Sequence, residues 1–126
     1  MGNASANASW IAGVSKSGVP TLQPHLHPYL TTLVDDVDGK CPGRTAAIID
    51  AVIRDTLRLD GTDVPAKLSD AESVVAGIAE QFVIDVHGVD DEAFGRLKAH
   101  YQEPEIVAML FRMALSDGLA KLEKVA

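Results

Sequence analysis

Apolar residues between Ser69 and His87 recur at the spacing of one helix face, and this pattern constrains the fold more than any other feature of the chain. Ser69-Asp70-Ala71-Glu72 precedes them as a capping box, in which Ser69 and Glu72 each bond the backbone amide of the other. His87 and Gly88 follow as a helix end. A stripe of this length has to be buried, so the chain must pack helix against helix. The stripe consists of Val74, Val75, Ile78, Ala79, Phe82, Val83 and Val86.

Four further segments complete the prediction of an all-α, single-domain bundle of about five helices. Helices are predicted over residues 27–36, 44–60 and 91–101, and Pro104 begins the last one because proline suits the first helical turn. We place Asp35, Asp36 and Asp38 in a loop, because acids at a helix C-terminus oppose the helix dipole. Gly61 is the expected stop after the second helix.

The first residues of the chain have no helical period. Residues 1–23 are rich in Gly, Ala, Ser and Asn and are interpreted as a flexible arm, with the helical domain at 24–126. Trp10 and Ile11 form an apolar pair inside this arm. Such a pair is expected either to dock on a neighbouring subunit or to stay disordered with the rest of the arm.

The last predicted helix carries more apolar residues than one partner helix covers. Ile106, Val107, Leu110, Phe111, Ala114 and Leu119 are expected to be buried in the bundle. Met109, Met113 and Leu115 then widen the apolar arc. A subunit interface is the simplest use of such an arc, so we expect an oligomer.

Composition narrows the function classes. A net charge of −7 argues against nucleic acid as a partner, because phosphates are bound by clustered Lys and Arg. No apolar run approaches the ~20 residues that span a bilayer, so no membrane partner is expected. Cys41 is the only cysteine and excludes an intrachain disulfide. With no basic and apolar leader at the N-terminus, we expect a cytoplasmic protein.

Four segments together resemble the C-terminal part of the carboxymuconolactone decarboxylase-like proteins, which include the alkylhydroperoxidase D-type proteins. The segments are residues 69–72, 89–94, 97–101 and 104–107, and residues 28–58 fit the entry helices of that family. The resemblance implies an alkylhydroperoxidase D-like, oligomeric helical fold. In that family a CxxC pair, or a Glu and a His, lies between these two parts. Residues 57–65 contain neither Cys nor His, so the resemblance implies a shortened relative without the redox activity.

Acid–base chemistry has one candidate cluster. Histidine is the side chain best suited to general acid–base catalysis, so His100 is a candidate acid or base, which Tyr101 or Glu103 could orient. The competing interpretation, which we favour, is a surface histidine beside a tyrosine that anchors the loop before Pro104.

A metal site and a reactive thiol are the remaining candidates. His25 and His27 have a spacing that can share a metal in an extended segment, but they need a third ligand such as His87, His100 or Asp35. We favour a solvated loop. Cys41 precedes a helix whose amides, with Arg44, could lower its thiol pKa. Without a second cysteine, a structural cysteine is the preferred interpretation, and no cofactor is expected.

Two function classes follow from these patterns. The first is a non-redox, oligomer-forming helical protein, for which one role is that of an accessory subunit beside a larger, related catalytic partner. The alternative is a small-molecule enzyme of the decarboxylase or isomerase type, which uses His100 in a pocket between helices or subunits. Whether the chain is an enzyme is left open by the sequence.

Overall fold

The described part of the chain, residues 26–60 and 63–125 of a computed structural model, consists of five α-helices and one short 3₁₀ turn, with no strand. The all-α prediction is therefore confirmed for these residues. Among them, no helix is both long enough and apolar enough to cross a membrane. The predicted arm, with Trp10 and Ile11, lies outside the described residues. The helices are α1 (Leu26–Lys40), α2 (Thr45–Thr56), α3 (Asp70–Ile84), α4 (Asp91–Lys98) and α5 (Glu103–Val125), and the 3₁₀ turn is Val86–Gly88.

Helix α2 lies at the centre of the bundle. It packs against both α3 and α5, while α1 lies along α5 and α4 contacts both α3 and α5. Because α2 has neighbours on both sides, its side chains from Ile48 to Arg54 are all buried, including the polar Asp50 and Arg54. The core therefore forms around α2, with apolar residues of α3 and α5 on either side.

The predicted capping box starts α3. The Glu72 amide donates to Ser69 Oγ at 3.1 Å, and the Ser69 amide donates to Glu72 Oε1 at 2.9 Å. Arg44, just before α2, donates from Nε to Glu72 Oε2 at 2.7 Å and from Nη2 to the Lys67 carbonyl at 2.7 Å. These bonds join the first turns of α2 and α3, and they lower the Glu72 pKa to about 2, with the Arg44 hydrogen bond as the largest cause.

The end of α3 differs from the prediction. The helix stops at Ile84, and the Asp85 carboxylate accepts from the His87 amide at 3.0 Å to start the 3₁₀ turn. Val86 therefore leaves the apolar stripe and is exposed, as is Ile84. An aspartate that caps a new turn overrides the apolar period at this point.

The ends of α1 and α2 also need correction. Helix α1 continues through the aspartates to Lys40, where a loop was expected, because Asp36 pairs with Lys40 and Asp38 pairs with Arg112 of α5. Helix α2 ends at Thr56, four residues before the predicted end, and Arg58 adopts a left-handed conformation with φ of 59°. Cationic partners thus overcome the unfavourable dipole term at the end of α1.

Candidate functional site

Helix α5 turns an apolar face to solvent. Val107 is 58% exposed and Phe111 is 46% exposed, and Leu122 and Val125 continue the same side of the helix. Each residue advances about 100° around a helix, so spacings of four and three residues keep these side chains within one strip. We call this strip the α5 outer face. It consists of Val107, Phe111, Ala114, Gly118, Leu122 and Val125, all of which are exposed.

The α5 outer face corrects the predicted orientation of this helix. Val107, Phe111 and Ala114 were expected in the core and are exposed. Met109 and Met113, which were expected to widen the arc toward a neighbour, are fully buried instead. The physical reason is a set of buried hydrogen bonds. Arg112 and Ser116 point into the bundle, where they bond Asp38 and Asp50. These bonds fix the rotation of the helix.

Helix α1 packs against α5 and has exposed apolar side chains of its own. Leu30 and Val34 pack against Leu115 and Leu119, which places the start of α1 beside the C-terminal half of α5. Tyr29 and Leu33 are exposed.

The position of Leu33 around α1 follows from helix geometry. Asp38 marks the side of α1 that turns toward the core, because it bonds the buried Arg112. Leu33 lies about 140° away around the helix, at 100° per residue. Leu33 and Tyr29 therefore lie on the side of α1 that faces away from Asp38, in agreement with their exposure.

A buried polar cluster joins three helices beneath this surface. Arg112 of α5, 1% exposed, donates from Nε to Asp38 Oδ1 of α1 at 2.7 Å and from Nη1 to Ser116 Oγ at 2.7 Å. Ser116 Oγ in turn donates to Asp50 Oδ1 of α2 at 3.1 Å. One guanidinium thus stands between two carboxylates, and the cluster is a structural junction of α1, α2 and α5.

Burial shifts two titrating groups near this cluster. The Asp38 pKa is raised, with desolvation as the largest cause, while the charge and hydrogen bond of Arg112 act in the opposite direction. Cys41 is buried, and desolvation, followed by the charge of Asp38, raises its thiol pKa to about 11. Arg44, which was expected to lower this pKa, is bonded to Glu72 instead. The shift is opposite to the one a reactive thiol requires.

The three candidate acid–base residues lie at the junction of α4 and α5, with Glu103 as the first residue of α5. His100 and Glu103 are exposed, and Tyr101 is half-buried against the core. The rings of His100 and Tyr101 have centroids 6.4 Å apart and are tilted by 60°. Burial raises the Tyr101 pKa, and the charges of Glu72 and Glu105 add to the shift. Tyr101 therefore packs against the core beside the exposed His100, and the acid–base role of the three residues stays a prediction.

The histidine pair falls outside what the structure describes. His25 precedes the described residues, and the described side chains begin at residue 28, after His27. Within the described ranges, no group of three or more His, Cys, Asp or Glu side chains is arranged to hold a metal ion. The two-histidine metal site stays a prediction.

A cavity of about 310 Å³ lies between α3, the 3₁₀ turn and α4. Its walls include the polar side chains of Ser73, Gln81 and Arg96 and the apolar side chains of Ile78 and Val89. This volume is at the lower end of small-molecule sites. Neither His100 nor Tyr101 lines it, so the candidate acid–base residues and this cavity are separate features.

Known protein families, curated proteins and solved structures were compared with the chain, and none of the three comparisons finds a match.

Proposed function

We propose that this chain is a non-redox, oligomer-forming helical protein related to the carboxymuconolactone decarboxylase-like proteins. Its role would be that of an accessory subunit, and the α5 outer face would be the surface through which it assembles. The observation that carries the proposal is the exposure of Val107, Phe111, Leu122 and Val125 on one side of the longest helix of the described chain.

The α5 outer face supports assembly because of how its residues are grouped. Single exposed apolar side chains are ordinary on protein surfaces, but contiguous apolar patches mark interaction sites. Phe111 is the large aromatic side chain near the middle of this face, and aromatic residues dominate the energy of protein interfaces. Helix α1, which packs against the C-terminal half of α5, has two further exposed apolar side chains, Tyr29 and Leu33.

The state of Cys41 supports the non-redox part of the proposal. A nucleophilic thiol has to be accessible and has to ionise near neutral pH. Cys41 is buried, and its pKa is raised to about 11. In the protein as folded, this side chain behaves as a small apolar residue of the core.

The proposal is tested by native mass spectrometry of the tagged full chain recovered from its own cells, as wild type and as Phe111→Ser. We expect the wild type in an assembly, with further copies or with a larger subunit, and the Phe111→Ser chain as a monomer. Ile84→Ser is the matched control, because Ile84 is an apolar residue at the end of α3 that is more exposed than Phe111. Monomeric mass for the wild type, or an assembly that Phe111→Ser leaves intact, would contradict the proposal.

A further inference from the structure

The α5 outer face has an internal symmetry that specifies its partner. We propose that α5 pairs with α5 of a second copy in antiparallel orientation, around a two-fold axis near Ala114, with Phe111 of each copy over Gly118 of the other. The inference rests on the proposed function, to which it adds the identity of the partner and the geometry of the contact.

The order of large and small residues along α5 is the first support. A two-fold axis between positions 114 and 115 exchanges residue 111 with 118 and residue 107 with 122, as an isologous interface requires. Phe111 of one copy then meets Gly118 of the other, and Val107 meets Leu122. Large side chains face small ones, and apolar side chains face apolar ones. A parallel pair would instead set Phe111 against itself and Gly118 against itself.

Gly118 is the second support. Glycine inside a helix destabilises it by roughly 0.5–1 kcal/mol relative to alanine, and its usual justification is a close contact or a left-handed backbone. Gly118 has neither within the chain: a Cβ built on it meets nothing within 4 Å. On the α5 outer face, the missing side chain of Gly118 leaves room for a large side chain of a second copy.

Charge is the third support. Helix α5 has Glu103 and Glu105 in its first turn and Lys124 in its last turn, with Lys121 one turn earlier. An antiparallel pair brings the acidic start of each helix beside the basic end of the other. The two helix dipoles also align favourably in this orientation.

Helix α1 lies beside the contact in the same arrangement. It packs against the C-terminal half of α5, and its Tyr29 and Leu33 side chains are exposed. In the antiparallel pair that half lies opposite the N-terminal half of the other copy's α5. Helix α1 would therefore lie near Val107 and Phe111 of the other copy.

Disulfide mapping tests this geometry in the full chain. Ala114→Cys lies next to its own counterpart at the two-fold axis, so mild oxidation should give a covalent dimer. Val107→Cys alone should not cross-link, because the two copies of residue 107 are about 22 Å apart along the paired helices, beyond the reach of a disulfide. The double variant Val107→Cys/Leu122→Cys should cross-link. The wild type is the matched control, because its buried Cys41 should stay reduced.

A second experiment tests the role of Gly118. Gly118→Leu should leave the fold unchanged or more stable, because its Cβ position is open and leucine favours helix. It should nevertheless weaken dimerisation by roughly 10- to 100-fold, since it fills the place of Phe111 from the other copy. Gly95→Leu in α4 is the matched control, because that position is also open.

The outcomes separate this inference from the proposed function. Cross-linking of Val107→Cys alone would show parallel pairing and would overturn the inference. The proposal that the protein assembles through the α5 outer face would remain supported. Unchanged dimerisation in Gly118→Leu would overturn it in the same way. An assembly found only with a larger, different subunit would also exclude the second copy as partner. A wild type that is monomeric in every setting would overturn both.

Discussion

Arg112 in α5 donates from Nε to Oδ1 of Asp38 in α1 at 2.7 Å, across 74 positions of sequence, and its side chain is almost fully buried. The same guanidinium lies 3.9 Å from the Asp50 carboxylate in α2. This single cation therefore sets how α1, α2 and α5 meet. It also fixes the rotation of α5, and with it the residues that face solvent.

Removal of the Arg112 charge should lower the free energy of unfolding of the protein. Arg112→Ala would leave the Asp38 and Asp50 carboxylates close together without their cation, and loss of one partner of a buried pair costs about 3–5 kcal/mol. We expect the midpoint of urea unfolding to fall accordingly. Arg96→Ala is the control, because Arg96 forms an exposed pair with Glu92 at 3.4 Å, a type worth about 0.3–0.5 kcal/mol. Equal losses in the two variants would show that the Arg112 cluster does not stabilise the fold.

A second buried ion pair, between α2 and the C-terminal end of α5, should also stabilise the fold. Arg54 bonds both oxygens of Glu123, at 2.6 and 3.1 Å, and the two side chains are 5% and 4% exposed. Glu123→Ala should cost about 3 kcal/mol in urea unfolding, because the buried Arg54 loses its counter-charge. Asp117→Ala, which removes the surface pair with Lys121, should cost much less. A loss for Glu123→Ala no larger than this control would contradict the prediction.

The Glu72 carboxylate should contribute to stability against acid. Its folded pKa of about 2 lies below its ordinary value of 4.5. The folded form therefore binds fewer protons than the unfolded chain, and the contribution is present above pH 4.5 and is lost as the pH falls toward about 2. In Glu72→Gln, unfolding midpoints recorded across this range should fall less steeply than in the wild type. Glu92→Gln, which removes an exposed carboxylate of α4, should keep the wild-type slope.

Asp38 should act in the opposite sense. Its pKa is raised in the folded protein, so its contribution is largest below its ordinary value of 3.8 and is lost as the pH rises through the raised value. The two carboxylates can be distinguished by NMR titration of their side-chain carbons. Glu72 should titrate below the usual range and Asp38 above it, and the reverse order would contradict the described contacts.

Cys41 should resist alkylation in the folded protein. Its thiol pKa of about 11 means that little thiolate exists near neutral pH, and the side chain is buried. The rate of reaction with iodoacetamide should stay low up to about pH 10 in the native protein. In urea the same thiol should react with a midpoint close to 9, its ordinary value. A native rate profile that reaches its plateau near neutral pH would restore the reactive-thiol hypothesis.

Local patterns predicted most of the helices. Ser69 and Glu72 start α3 through bonds that span three residues, so the capping box could be recognised from sequence alone. The five-helix, all-α organisation also follows from apolar spacing. Distant charge pairs could not be predicted in this way. Nothing near Arg112 in sequence indicates that Asp38 and Asp50 will enclose it.

The orientation of α5 was mispredicted for a physical reason. Its apolar residues occur almost all around the helix, so periodicity alone does not fix which side faces the core. Sequence reasoning places an arginine outside the core by default. Here Arg112 lies inside, which turns Phe111 outward. An apolar surface was expected on this helix, but the residues that form it could be identified only with the helix rotation known.

The most direct test of the account is sedimentation equilibrium of the purified full chain over a wide concentration range. The wild type and Ile84→Ser should show the mass of a dimer. The dissociation constant of the Phe111→Ser dimer should be at least roughly 100-fold higher, because two phenylalanine side chains leave the interface. Circular dichroism should report the same helix content for all three, since both substituted residues are exposed. The same mass for all three proteins at every concentration would contradict the claim that the α5 outer face drives assembly.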